Sequence, residues 1–119
     1  MFPVLSYYTT ILTLLFSIPA VITGAQQLMP VIQRDGFSSR KAKIGVLHAL
    51  INDVTVVGAL YNWWSRRSTP GFTPAADNVL ISTVLAVPAT FFAAYLGGSL
   101  VYVYGMGFGN RQVNTKKAQ

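Results

Sequence analysis

The charged side chains of this chain are confined to a few short segments, and what lies between them limits the fold. Met1 to Gln33 contains no charged side chain, nor does Asn78 to Asn110. Ile44 to Ser65 contains only Asp53, joined by His48 if that ring is protonated. A soluble domain spreads charge over about a quarter of its residues; here the fraction is 10% of 119 residues, a length suited to one domain. Three long apolar stretches separated by short charged loops predict an all-α fold, a polytopic membrane helical bundle with three transmembrane helices forming a single domain over 1-119.

A helix rising 1.5 Å per residue needs ~20 residues to cross ~30 Å of hydrocarbon. The first span is expected at about 4-29, with a kink at Pro19 and with Pro30 helping to end it. The second, at about 43-64, ends in the run YNWWSRR, where Trp63 and Trp64 suit the interfacial aromatic belt and Arg66 and Arg67 fall just outside it. The third, at about 78-104, contains Pro88 as a second kink position. The turn-rich GFTPAAD, Gly71 to Asp77, leads into it, and Asp77 or Asn78 is placed to cap it. The tail 110-119 is polar.

The net charge of +6 does not indicate nucleic-acid binding, because the basic residues flank apolar spans and leave no basic-aromatic surface. Cysteine is absent, which excludes disulfides, thiolate nucleophiles and Cys-ligated metal centres. The first span does not read as a signal peptide: it has no basic leader, and its apolar run exceeds the usual ~7–15 residues.

Charge also sets an orientation. The first loop carries Arg34, Arg40, Lys41 and Lys43, and the tail carries Arg111, Lys116 and Lys117; the opposite side has only Arg66 and Arg67. Three spans put loop and tail on one side, and the positive-inside rule makes that side the cytoplasmic one, or its equivalent in an organelle. The N-terminus of this chain is then expected outside.

Each span has a stripe of small or polar residues at helical spacing. The first gives Ser6, Thr10, Thr13, Ser17, Ala20, Gly24 and Gln27; the second Gly45, His48, Asn52, Thr55, Ala59 and Asn62; the third Ser82, Ala86, Ala89, Ala93 and Gly97. Lipid supplies no hydrophobic drive for helix association, so small residues that allow close approach and polar residues that bond across a seam hold such bundles together. Ala93-x-x-x-Gly97 and Ala94-x-x-x-Gly98 are small-xxx-small pairs on adjacent faces.

Depth brings some of these residues together. His48 lies five residues beyond Lys43, Gln27 seven before Arg34 and Tyr104 seven before Arg111. Gln27, His48, Asn52 and Tyr104 (or Tyr102) are therefore expected to form a buried polar cluster near the cytoplasmic end, with His48 bonded to a polar group of another helix, foremost Gln27. Asp53 stands about 100° round the helix from Asn52. A charge at this depth costs at least ~2.5 kcal/mol, so Asp53 is expected to be paired, hydrated or protonated, and not in contact with bare lipid.

This cluster has a functional reading and a plain one. His48 is a candidate cofactor-binding residue, as a haem-iron ligand, or with Asp53 a proton relay. The plain reading is a satisfied hydrogen-bond network between helices, and it is the stronger. His48 is the sole histidine, so one protomer cannot build a bis-His haem site. YLGGSLVYVYGMGFG follows no strand, so its glycines serve packing and helix termination, not phosphate binding. Three scattered acidic residues do not make a hydrolase, and no catalytic set or metal site is evident.

AVITGAQQLM (Ala20 to Met29), VLHALINDV with LYNWWSRR, and AYLGGSLVYVYGMGFG resemble the uncharacterised membrane proteins grouped as domain of unknown function 2231, especially the fungal members, over most of the chain. The resemblance implies four spans in a full-length member, the first opening with a His-Pro…His-Phe-Pro pattern. This chain begins where the second span would, as a truncated, processed or shortened relative. A four-span parent would have both termini cytoplasmic, in agreement with the charge bias. The family often has a histidine where this chain has Tyr104, and both departures remove possible metal ligands. No activity comes with the resemblance.

The expectation is therefore an integral membrane protein in a lipid bilayer, non-enzymatic, acting as a structural or accessory subunit in a homo-oligomer or a larger membrane complex, with no nucleic acid. The alternatives are a haem-binding redox membrane protein using His48, and a small transporter or proton-path element using Asp53 and His48.

Overall fold

The computed structural model describes residues 1–106, and these contain helices and turns but no strand. The expected tail, 110-119, with Arg111, Lys116 and Lys117, lies outside the described residues.

Helix α1 runs Phe2–Asp35. At about 51 Å it outreaches the hydrocarbon thickness. It does not stop at Pro30, as the sequence suggested. Both Pro19 and Pro30 lie inside it. A proline removes one intrahelical bond, a loss that membrane helices tolerate; the Thr23 hydroxyl bonds its own helix at the Pro19 carbonyl, at 2.9 Å. Termination falls to Gly36, whose φ of 73° is the left-handed conformation that glycine adopts freely, and its N–H closes on the Ile32 carbonyl.

Ser39 starts helix α2, Arg40–Arg66, by accepting a bond from the Ala42 N–H at 3.1 Å. A 3₁₀ turn at Pro70–Phe72 then leads into a second antiparallel crossing. This third rod has three parts: α3 at Ala76–Leu80, a π-helical turn at Ile81–Ala86, and α4 at Val87–Tyr102. Pro88 explains the π-turn. Its ring would clash with the Val84 carbonyl and its nitrogen has no hydrogen to donate. The chain relaxes by widening the turn just before it, with the Val87 N–H bonding the Ser82 carbonyl five residues back. The kink expected at Pro88 is thus a π-turn preceding it.

The three rods are each long and apolar enough to cross a membrane. α2 is central, with α1 packed along one side of it and α4 along another. Gly45 opposes Leu28 of α1, and Gly58 and Gly97 mark the close approaches of α2 to the third rod. Few side chains are buried: among the described residues Tyr7, Val31, Ala42, Ala93, Leu96 and Leu100 are the apolar ones. Most Leu, Val, Ile and Phe face outward, as they do where lipid is the solvent.

Candidate functional site: the polar seam of α2

His48 sits where α2 and α4 touch. Its Nδ1 lies 2.8 Å from the Ala93 carbonyl oxygen. That oxygen can only accept, so Nδ1 carries the hydrogen and Nε2 accepts, here from the Asn52 amide at 3.2 Å. The same amide donates to the His48 backbone carbonyl at 2.8 Å. Both ring nitrogens are therefore engaged, one across the helix interface and one within α2. The ring fits because Gly97 has no side chain; a Cβ there would come within 2.9 Å of His48 Cε1.

Gln27 is not the partner of His48. α1 meets α2 through Leu28 and Val31, while Gln27, about 100° away from Leu28, is exposed. Tyr104 is half-buried in the turn after α4, where its backbone N–H bonds Ser99, and its side chain joins no cluster among the described residues. Tyr102 is exposed. Asp53 is exposed and has no hydrogen-bond or ion-pair partner among the described residues. His48 and Asp53 are five residues apart, about 140° round the helix, so they do not pair. Of the five expected residues, the structure joins two, His48 and Asn52.

A second polar group lies at the other end of the seam. The Asn78 amide, 3% exposed, donates to Asn62 Oδ1 at 2.7 Å and to Ser65 Oγ at 2.8 Å. The Asn62 amide donates to Ser82 Oγ, whose hydroxyl donates to the Asn78 carbonyl. Asn78 Oδ1 accepts from the Ala75 N–H, so Asn78 secures the start of α3 from inside its first turn and is not the N-cap; Asp77, also in that turn, accepts from the Tyr61 hydroxyl. A cavity of about 290 Å³ opens beside Asn78, lined by Ser65, Thr69, Thr73 and Asp77 among others.

Arg66 was expected outside the span beside the tryptophans. It is buried against other parts of the chain, at 6% exposure. Its Nε donates to the Phe72 carbonyl at 2.9 Å, and one Nη donates to the Pro3 carbonyl and to Ser6 Oγ, both at 2.8 Å. This guanidinium ties the start of α1 and the 3₁₀ turn to the end of α2. Phe72 takes a positive φ of 54°, a conformation that costs a bulky residue about 1–2 kcal/mol. It is held there by the Arg66 bond and by stacking on Tyr7, with ring centroids 4.0 Å apart. Arg67 instead lies over Trp64, its guanidinium 3.5 Å from the ring centroid.

Sequence reasoning missed Asn78 as a buried hub and Arg66 as a clamp. The signal for the first was present, because Asn62 and Ser82 stand on stripes at the same depth beside the connection. For Arg66 no local pattern told it from Arg67.

Among the described residues no group of three or more His, Cys, Asp and Glu side chains is placed to hold a metal ion. The arrangement joins helices through three satisfied polar locks, at His48, Asn78 and Arg66. No curated protein and no solved structure matches the chain. A family model does match, over residues 1–110, and the chain belongs to the family it describes, the predicted membrane proteins of DUF2231.

Proposed function

We propose that this integral membrane protein is non-enzymatic and serves as a structural or accessory subunit of a membrane assembly. The supporting observation is the use made of its sole histidine. His48 holds α4 through Nδ1, so a ligand there would break the helix contact, and takes the Asn52 amide of its own helix on Nε2, which a ligand would have to displace. Asn78 and Arg66 are likewise engaged in joining elements.

Two measurements test this. The protein purified in mild detergent is expected to show no Soret band, in wild type or in His48→Ala, while His48→Ala lowers the thermal midpoint. A Soret band in wild type that disappears in the variant would assign His48 to haem and overturn the reading. In mildly solubilised native membranes, the protein is expected to migrate with other polypeptides in an assembly larger than copies of itself. Migration only as the lone chain or its own oligomer would defeat the accessory role.

A further inference from the structure

Asp53 stands thirteen residues from each end of α2, about 20 Å from either terminus, which is mid-membrane depth for a spanning helix. Its helix partners, α1 and α4, take up other faces of α2 and leave it on the outer surface of the protomer. The nearest basic side chain of its own helix, Lys43, is ten residues and about 15 Å away. A charged or unsatisfied carboxyl at this depth in hydrocarbon is costly, and among the described residues Asp53 has no complement.

The residues around Asp53 supply a surface for one. Val46, Leu50, Asp53, Val57, Leu60 and Trp64 follow one another at alternating steps of four and three. That spacing is the heptad seam by which two helices supercoil, with a single polar position at its centre of the kind that fixes register. Leu50, Val57, Leu60 and Trp64 are 56%, 65%, 48% and 56% exposed. Apolar area alone drives no association in lipid; the central carboxyl makes this face specific.

We propose that a second copy of this chain covers the face, in a two-fold dimer along α2. Two copies with one membrane orientation are related by an axis along the membrane normal, so their α2 helices run parallel and each residue near the axis meets its own counterpart. Asp53 then faces Asp53 of the second copy. Two facing carboxyl groups can bond to one another through a shared hydrogen, so the group is its own complement, and that bond forms only in the dimer. This proposal is independent of the accessory role above, since the dimer can exist with or without further subunits.

Because the chain has no cysteine, single-cysteine crosslinking in membranes tests it on an otherwise unaltered protein. Leu50→Cys and Val57→Cys are expected to form intermolecular disulfides. Phe91→Cys, on an exposed position of α4, is expected to form none. Sedimentation or mass measurement in detergent should give a dimer for wild type and for Asp53→Asn, which retains a donor and an acceptor. Asp53→Leu, which keeps the seam apolar, should weaken dimerisation about tenfold. Crosslinking at Phe91 in place of the seam, crosslinking nowhere, or an Asp53→Leu dimer as tight as wild type would each overturn the proposal, as would a different polypeptide crosslinking to position 50 or 57.

Discussion

Gly97 lacks a side chain at the point where the His48 ring lies against α4, and the ring is held at both nitrogens, so it cannot turn aside freely. Gly97→Ala should therefore push the imidazole off the Ala93 carbonyl and cost about 1–3 kcal/mol, the usual penalty of overpacking. In a His48→Ala background the same change should be almost neutral, and a thermal-unfolding cycle of the four proteins measures the coupling; additive effects would show that ring and glycine are not in contact. Gly45→Ala meets a terminal methyl of Leu28, which can rotate, and should cost less. Arg66→Gln should cost about 2 kcal/mol through the lost charge-assisted bonds to Phe72, Pro3 and Ser6. It should also increase labelling at Thr73→Cys, because the 3₁₀ turn loses its clamp; unchanged labelling and stability would make Arg66 a passive surface cation. These residues also show what a helical stripe does and does not predict. The hydroxyls of Ser6, Thr9, Thr10, Thr13, Ser17 and Thr23 all bond to carbonyls of α1 itself, three or four residues back. Serine and threonine can satisfy their polarity inside their own helix, so they create no demand for a partner. The imidazole of His48 and the amides of Asn62 and Asn78 reach across to other segments. Composition by helical face does not separate these two kinds of polar residue, and for that reason the sequence reading joined Gln27 to His48 by depth alone.

At the scale of the element, three spans were legible because hydrocarbon thickness and the absence of charge constrain length strongly. Their ends were less so. Pro30 lies inside α1 because a membrane helix can continue past a proline, whereas Gly36, two residues after Arg34, supplies the positive φ that stops it. Antiparallel packing of α2 on both neighbours places the Gly36–Ser39 loop and the turn after Arg66 at opposite ends. In the bilayer, Ser39→Cys and Ser68→Cys should consequently label from opposite sides. The Lys and Arg bias adds the expectation that position 39 labels from the cytoplasmic side, or its equivalent in an organelle, since Arg34, Arg40, Lys41 and Lys43 flank it. Labelling of both positions from one side would reject three crossings.

For the whole molecule, the arrangement is one central helix with a neighbour on each of two faces, and this accounts for how unevenly the three stripes are used. The α2 and α4 stripes meet, through His48, Ala93 and Gly97. The α1 stripe does not enter that contact: Thr13, Ala20, Gly24 and Gln27 are exposed, and α1 instead lays Leu28 and Val31 against α2. A Cβ added at Gly24 would find no heavy atom within 4 Å. The protomer's own fold therefore asks nothing of that glycine, and the helix carries only its conformational cost. Gly24→Ala should raise the thermal midpoint of the detergent-solubilised protein, by an amount equivalent to up to about 1 kcal/mol, because alanine has the higher helix propensity. The contrast with Gly97→Ala is the test of the architecture, since both replace a glycine on a small-residue stripe of a spanning helix. If the two substitutions destabilise alike, α1 packs on its neighbours through the stripe and the central-helix arrangement is wrong; if Gly24→Ala stabilises while Gly97→Ala destabilises, the stripe of α1 lies outside the protomer's core.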